Sequence, residues 1–120
     1  MLGQTFTREQ RLLTAKQYSH VFADARRFGN HSFTLLVRVN DVSHPRLGLA
    51  IAKKSVKRAV DRNRIKRLLR ESFRKRQHSL PPIDIIAMCR PAAVQLSNAQ
   101  ILEQLEKQWH YMQKKLSTVS

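Results

Sequence analysis

Cysteine is almost absent: Cys89 is the only one in 120 residues. That excludes an internal disulfide and any metal site built from several thiolates. The chain has only three glycines, and they form no Gly-rich run of the kind that cradles a phosphate. Acids number eight against 23 Lys and Arg. Asp24, Asp41, Asp61 and Asp84 are scattered, with no D-x-D or E-x-x-H grouping, whereas a two-metal nuclease needs clustered carboxylates to hold its ions. The histidines, His20, His31, His44, His78 and His110, show no ligand spacing, and His20 and His44 read as exposed polar residues rather than general acids. No metal site is therefore expected in the chain. No apolar run approaches the ~18 residues of a transmembrane span. The opening MLGQTFTREQRLL lacks the apolar core of a signal peptide. These absences point to a cytoplasmic protein with no membrane partner.

What is present is positive charge. The formal net charge is +15 and the pI about 11.3, a balance that calls for a polyanion, nucleic acid first and an acidic membrane surface second. With 42% hydrophobic residues the chain can bury one modest core, and its length fits one domain. Residues 1–120 are read as a single RNA-binding domain with a flexible N-terminal segment over 1–13.

The charge is concentrated. Residues 53–76, KKSVKRAVDRNRIKRLLRESFRKR, hold 12 of the 23 basic residues and two acids, Asp61 and Glu71. A helix advances about 100° per residue, which places Ile65, Leu68, Leu69, Ser72 and Phe73 within an arc of roughly 140°. Arg64, Lys66, Arg67, Arg70, Arg74 and Lys75 spread over the other side, with Asn63 near its middle and Arg62 at its edge. Ala59 and Val60 also fall on the basic side. A mixed-sign face is usually only solvated surface. This one is nearly single-signed, and its i,i+4 pairs Arg62/Lys66, Lys66/Arg70 and Arg70/Arg74 repel by a few tenths of a kcal/mol each. An anionic partner would relieve that repulsion. Ser55 is a candidate cap.

Around this helix the pattern is α+β. Thr14 with Gln17 forms a capping box that starts a helix at about Ala15. Its segment AKQYSHVFADARR carries Tyr18, Val21, Phe22 and Ala25 on one face. Val21 and Ala25 read as core; Tyr18 and Phe22 fit core packing and base stacking equally. Gly29-Asn30 breaks the helix. Residues 32–39 alternate as a strand with Phe33, Leu35, Val37 and Val39 on the core face and Thr34, Leu36 and Arg38 on the other. Residues 46–52 form another, with Leu47, Leu49 and Ile51 inward. The small Gly48, Ala50 and Ala52 leave room on the opposite face for a packed helix or a nucleic-acid strand. Lys53 and Lys54 would stand at the mouth of the resulting cleft. Pro81-Pro82 stops the basic helix. DIIAMCR, 84–90, lacks alternation and reads as a strand buried on both faces. Ser97 or Asn98 caps a last helix with a seam of Leu102, Leu105, Trp109, Met112 and Leu116, Trp109 acting as a core anchor. No helix-turn-helix pair precedes the basic helix, so DNA is not an expected partner. A sheet with groove-facing aromatics suits single-stranded RNA. A ribosomal or chaperone-like RNA-binding protein also fits these features; a self-sufficient nuclease lacks its carboxylates.

Residues 58–70, RAVDRNRIKRLLR, resemble the signature of the bacterial ribonuclease P protein subunit: an R-N-R core followed by x-K-R-x-x-R. RLLTAKQYSHVF at 11–22, RLGLAIAKK at 46–54 and the DIIAMCR strand occur in that family's order and spacing. The resemblance implies an αβββαβα fold, ribosomal protein S5 domain 2-like, with a left-handed βαβ crossover. It implies an accessory subunit of the ribonuclease P holoenzyme, an endoribonuclease that removes the 5′ leader of precursor tRNA. Catalysis would belong to the RNA subunit and its Mg²⁺, with no catalytic residue in this chain. The partners would be ribonuclease P RNA, in a one-to-one heterodimer, and precursor tRNA. Carried onto this sequence, the RNA-docking residues are Lys53, Lys54, Arg58, Arg62, Asn63, Arg64, Lys66, Arg67 and Arg70. The leader-binding residues are Arg11, Tyr18, Phe22, Thr34, Leu36, Ala50 and Lys53. Tyr18 adds a hydroxyl where the family often has Phe, and Leu36 stands where a second aromatic can occur.

Overall fold

The computed structural model describes residues 8–117. Three helices, α1 (Ala15–Ala23), α2 (Ala59–Arg76) and α3 (Asn98–Ser117), and four strands, β1 (Arg26–Gly29), β2 (Phe33–Val39), β3 (Arg46–Leu49) and β4 (Ile83–Cys89), follow in the order αβββαβα. The strands form one mixed sheet in the order β1-β2-β4-β3. β1 and β4 flank β2 antiparallel, and β3 runs parallel to β4. A parallel neighbour cannot be reached by a tight turn, and α2 supplies the crossover.

The sheet carries a layer on each face. Phe33, Leu35 and Val37 of β2 lie opposite Cys89, Ala87 and Ile85 of β4, and α2 and α3 cover them with Ile65, Leu69, Phe73, Ile101, Leu105 and Trp109. The helical stripe read from the 3.6-residue period is the buried face of α2: Ile65, Leu68, Leu69, Ser72 and Phe73. Ser72 has a reason to be there, because its hydroxyl oxygen accepts the Trp109 indole N–H at 2.7 Å. On the opposite face α1 covers a smaller cluster built on Leu12, Val21 and Ile86. β4 lies beneath both layers, which is why its sequence shows no alternation. Cys89 is buried in the main core, and burial pushes its thiol up to about 11. It stays protonated and unreactive at neutral pH.

Several local expectations differ from the structure. The first helix stops at Ala23, and Arg26–Gly29 form a strand that the helical pattern had absorbed. Pairing decides this: Phe28 sits opposite Leu35 and is buried against α3's side of the sheet. Asn30 closes the hairpin by accepting the backbone N–H of Ser32 and Phe33 at 2.8 and 2.7 Å, an Asx turn. Val39, expected inward, is 71% exposed at the end of β2. Helix α2 begins at Ala59, not at a Ser55 cap; Arg58 is its N-cap and makes no side-chain cap bond. Ser55 lies in a turn held by the Ala52 carbonyl. At α3 the reading holds, since Ser97 and Gln100 exchange side-chain bonds with each other's backbone N–H. Ile101 joins its buried seam.

Residues 8–13, expected to be flexible, lie against β3. Leu12 is buried, its N–H donates to the Leu47 carbonyl at 3.0 Å, and Arg11 bridges Leu47. Residues 1–7 of that segment fall outside the described residues. Among the described residues no helix is long and apolar enough to cross a membrane.

Candidate nucleic-acid interface

The α1 face of β3 is where the interface begins. Gly48, Ala50 and Ala52 leave space there, and α1 fills part of it with one side chain. Thr14 and Gln17 cap α1 reciprocally at 3.1 Å, which sets the direction of the first turn and places Tyr18 over Gly48. The Tyr18 hydroxyl accepts the Leu49 N–H at 3.0 Å. The packed-helix reading of the small face is the one seen, and a groove remains beside the ring. That groove, about 380 Å³, is lined by Arg11, Leu12, Tyr18, Leu47, Leu49, Lys66 and Arg70.

Gly48 is needed for this fit. A Cβ at that position would stand 2.8 Å from Tyr18 Cζ and Oη, well inside contact distance. Gly48→Ala should therefore cost about 1–3 kcal/mol, the usual range for overpacking. Tyr18→Ala in the same chain should relieve the clash. Thermal unfolding of the two variants checks it; an unchanged midpoint for Gly48→Ala would refute the seating of the ring.

The groove joins two sets of residues that are far apart in sequence. Arg11 and Tyr18 come from the leader-binding set; Lys66 and Arg70 come from the RNA-docking set. No acid lines it. Lys66, Arg67 and Arg70 make no hydrogen bond or ion pair with the described residues, and Lys53, Lys54, Arg58 and Asn63 likewise offer side chains with no protein partner. Two ion pairs lie elsewhere, at Arg46–Asp84 and Arg76–Glu106.

Not every expected residue joins this surface. Phe22, one turn beyond Tyr18, is 50% exposed and points away from the core. Thr34 is only 3% exposed, so it offers no surface; it pairs with Gly29 of β1. Leu36 and Ala50 pack against the α1 cluster as half-buried residues. Two signature arginines also have protein partners. Arg62 donates to the carbonyls of Val56 and Lys57 at 3.0 and 2.9 Å. Arg64 donates to Asn98 Oδ1 at 2.6 Å and to the carbonyls of Val94 and Leu96 at 3.3 and 3.2 Å. The sequence reading missed Leu12, Leu47 and Leu49 as groove lining. Parity on β3 placed Leu47 and Leu49 inward, away from the small face, and nothing local marked Leu12.

Among the described residues no three His, Cys, Asp or Glu side chains lie close enough together to hold a metal ion. The described residues thus gather no oxygen cluster of the kind that holds a Mg²⁺ ion.

A family model described as Ribonuclease P matches residues 6–113. The chain belongs to the ribonuclease P protein family. It is 50% identical over 109 residues to the ribonuclease P protein component of Aliivibrio fischeri, covering 91% of this chain and 93% of that one. It is 53% identical over 108 residues to that of Thioalkalivibrio sulfidiphilus, covering 90% of each. Among solved structures it resembles the Staphylococcus aureus RNase P protein (TM-score 0.77, 29% identity, 82% of this chain and 90% of that one). It also resembles the Thermotoga maritima protein (TM-score 0.74, 26% identity, 82% and 94%). Membership of the ribonuclease P family places the chain in tRNA processing, as part of an endoribonuclease holoenzyme with an RNA partner. The α+β fold with its four-stranded mixed sheet is that of the ribonuclease P proteins.

Proposed function

We propose that this chain is the accessory subunit of ribonuclease P, which docks on the catalytic RNA through the outer face of α2 and holds the 5′ leader of precursor tRNA in the groove between α1, β3 and α2. The observation that carries the reading is the groove itself, where Arg11 and Tyr18 meet Lys66 and Arg70. One surface can then touch both RNAs where they meet. Lys53, Lys54, Arg58, Asn63, Lys66, Arg67 and Arg70 face the RNA subunit. In the groove Tyr18 offers its ring, Arg11 meets the leader's phosphates, and Leu12, Leu47 and Leu49 form the apolar floor; Phe22, exposed one turn along α1, and Lys53 extend the path beyond it.

The physical roles follow from charge and exposure. Cations that replace condensed counterions lower the cost of bringing two polyanions together. An exposed aromatic such as Phe22 offers a stacking face without sequence preference. The leader is present in precursor and absent from mature product, so any energy gained in the groove discriminates between them. Bond cleavage belongs to the RNA subunit and its Mg²⁺, and this chain supplies no catalytic residue. The complex is a one-to-one heterodimer acting in the cytoplasm, on RNA and not DNA.

The test is cleavage of a leader-bearing precursor tRNA at low Mg²⁺ by a bacterial ribonuclease P RNA, with and without this protein. Cutting by RNA plus protein, with RNA alone and protein alone silent, is the expected result. No effect of the protein across a salt and Mg²⁺ series would leave only general RNA binding. Cutting by purified protein alone would reveal an active site in this chain. In the same system Phe22→Ala should weaken precursor binding by about 1 kcal/mol or more, the scale of one stacked base. Mature tRNA affinity should stay as it was. Equal losses for both would remove Phe22 from the leader site.

A further inference from the structure

The signature places two arginines around one asparagine, and the structure gives the three residues different tasks. Residues two apart on a helix point about 200° apart. Arg62 and Arg64 therefore flank the cationic face of α2, while Asn63 projects from it. Arg62 folds back on the carbonyls of Val56 and Lys57. Val56 is buried in the main core, so this contact fixes the chain's entry into a helix whose N-cap, Arg58, makes no side-chain bond. Arg64 reaches the other way. Its two terminal nitrogens share three acceptors in the 94–98 segment that leads into α3. Arg67 and Arg70 further along the helix are exposed and have no such partners.

We infer that Arg62 and Arg64 are positioning residues, which clamp the 52–58 connection and the 94–98 segment to the two flanks of α2 so that Lys53, Lys54 and Arg58 stand beside Lys66 and Arg70 on one surface. The inference rests on the RNA-docking reading of that surface. It assigns the phosphate contacts to the partnerless cations and takes them away from the two arginines of the R-N-R core. Guanidinium groups suit the clamp because one planar fork can serve several carbonyls at once.

The experiment is a salt titration of binding to ribonuclease P RNA, with thermal unfolding of each variant alongside. A direct phosphate contact lowers the slope of log K against log salt by about 0.9 when it is removed. Lys66→Ala and Arg70→Ala should show that drop with an unchanged melting temperature. Arg62→Ala and Arg64→Ala should melt earlier and lose affinity roughly tenfold, about 1.4 kcal/mol, while keeping the parent slope. Asn98→Ala removes an Arg64 partner without touching any charge or the core, and it should reproduce part of the Arg64→Ala loss of affinity. A slope drop for Arg62→Ala or Arg64→Ala equal to that of Lys66→Ala, with Asn98→Ala silent, would overturn the inference. So would an earlier melt with full affinity well below the transition, which would make the two arginines bolts of the fold alone. If Lys66→Ala and Arg70→Ala leave the slope untouched, the docking reading itself fails, whatever the two arginines do.

Discussion

Arg46→Ala should cost about 3–5 kcal/mol of folding stability, the range for removing one partner of a buried ion pair. Arg46 and Asp84 are direct partners across the parallel β3–β4 pair. The guanidinium donates from Nε to Oδ1 and from Nη2 to Oδ2, both at 2.8 Å. The side chains are 17% and 3% exposed. The hydrogen bond to Asp84 raises the Arg46 pKa, against the lowering effect of burial. Without Arg46 the carboxylate keeps only the Asn40 amide, at 2.9 Å. A buried charge left so poorly compensated is the costly case, whereas replacing both partners by apolar side chains is often neutral. The double variant Arg46→Met with Asp84→Leu should therefore recover most of the loss. Urea unfolding midpoints decide the matter. A single-variant loss under ~1 kcal/mol, the scale of an exposed ion pair, would show that water already screens this one. Because β3 is a wall of the groove, RNA affinity should fall with the single variant and return with the double.

Trp109→Ala is the second large effect, about 3–5 kcal/mol for truncating a fully buried aromatic. Trp109 has no exposed surface. It meets Phe73 edge-to-face with ring centroids 6.3 Å apart, and its indole N–H is satisfied by Ser72. These contacts hold α3 against the inner face of α2, directly behind the cationic surface. Trp109→Phe separates the two contributions. It keeps an aromatic ring and leaves Ser72 without its donor, at a cost of about 1–3 kcal/mol from the orphaned group plus the lost volume. Adding Ser72→Ala to Trp109→Phe should return part of that cost, a coupling measured by a double-mutant cycle. Additive losses would mean that the indole–hydroxyl bond contributes nothing. Below the transition, the RNA affinity of Trp109→Phe should match the parent, because no cation has moved.

The helices were legible where the sequence carried a period of 3.6 or a cap. The Thr14–Gln17 box, the apolar stripe of α2 and the Ser97 start of α3 are local signals, and the structure keeps each of them. β1 was not legible, because Arg26–Gly29 is short and carries one apolar side chain at most facing a core. Its strand conformation comes from pairing with β2 and from burial of Phe28. Asp84 read as one of several scattered acids, since nothing in the sequence links it to Arg46 across 38 residues. The groove was half legible. The small residues of β3 marked a space, but which side chain entered it depended on the angle of α1.

By itself the sequence determined the cationic helix face, the strand buried on both sides and the need for a polyanionic partner. Those properties follow from charge count and from periodicity within one element, which no packing arrangement alters. Only the tertiary structure decided which cations are spent on the fold. A helical projection puts Arg62 and Arg64 nearer the edges of the cationic face than Arg67 and Arg70, but it does not show what they bond, and the acceptors that occupy Arg64 lie 30 to 34 residues away. A hydrogen-bond partner supplied by another part of the chain leaves no trace in the local pattern.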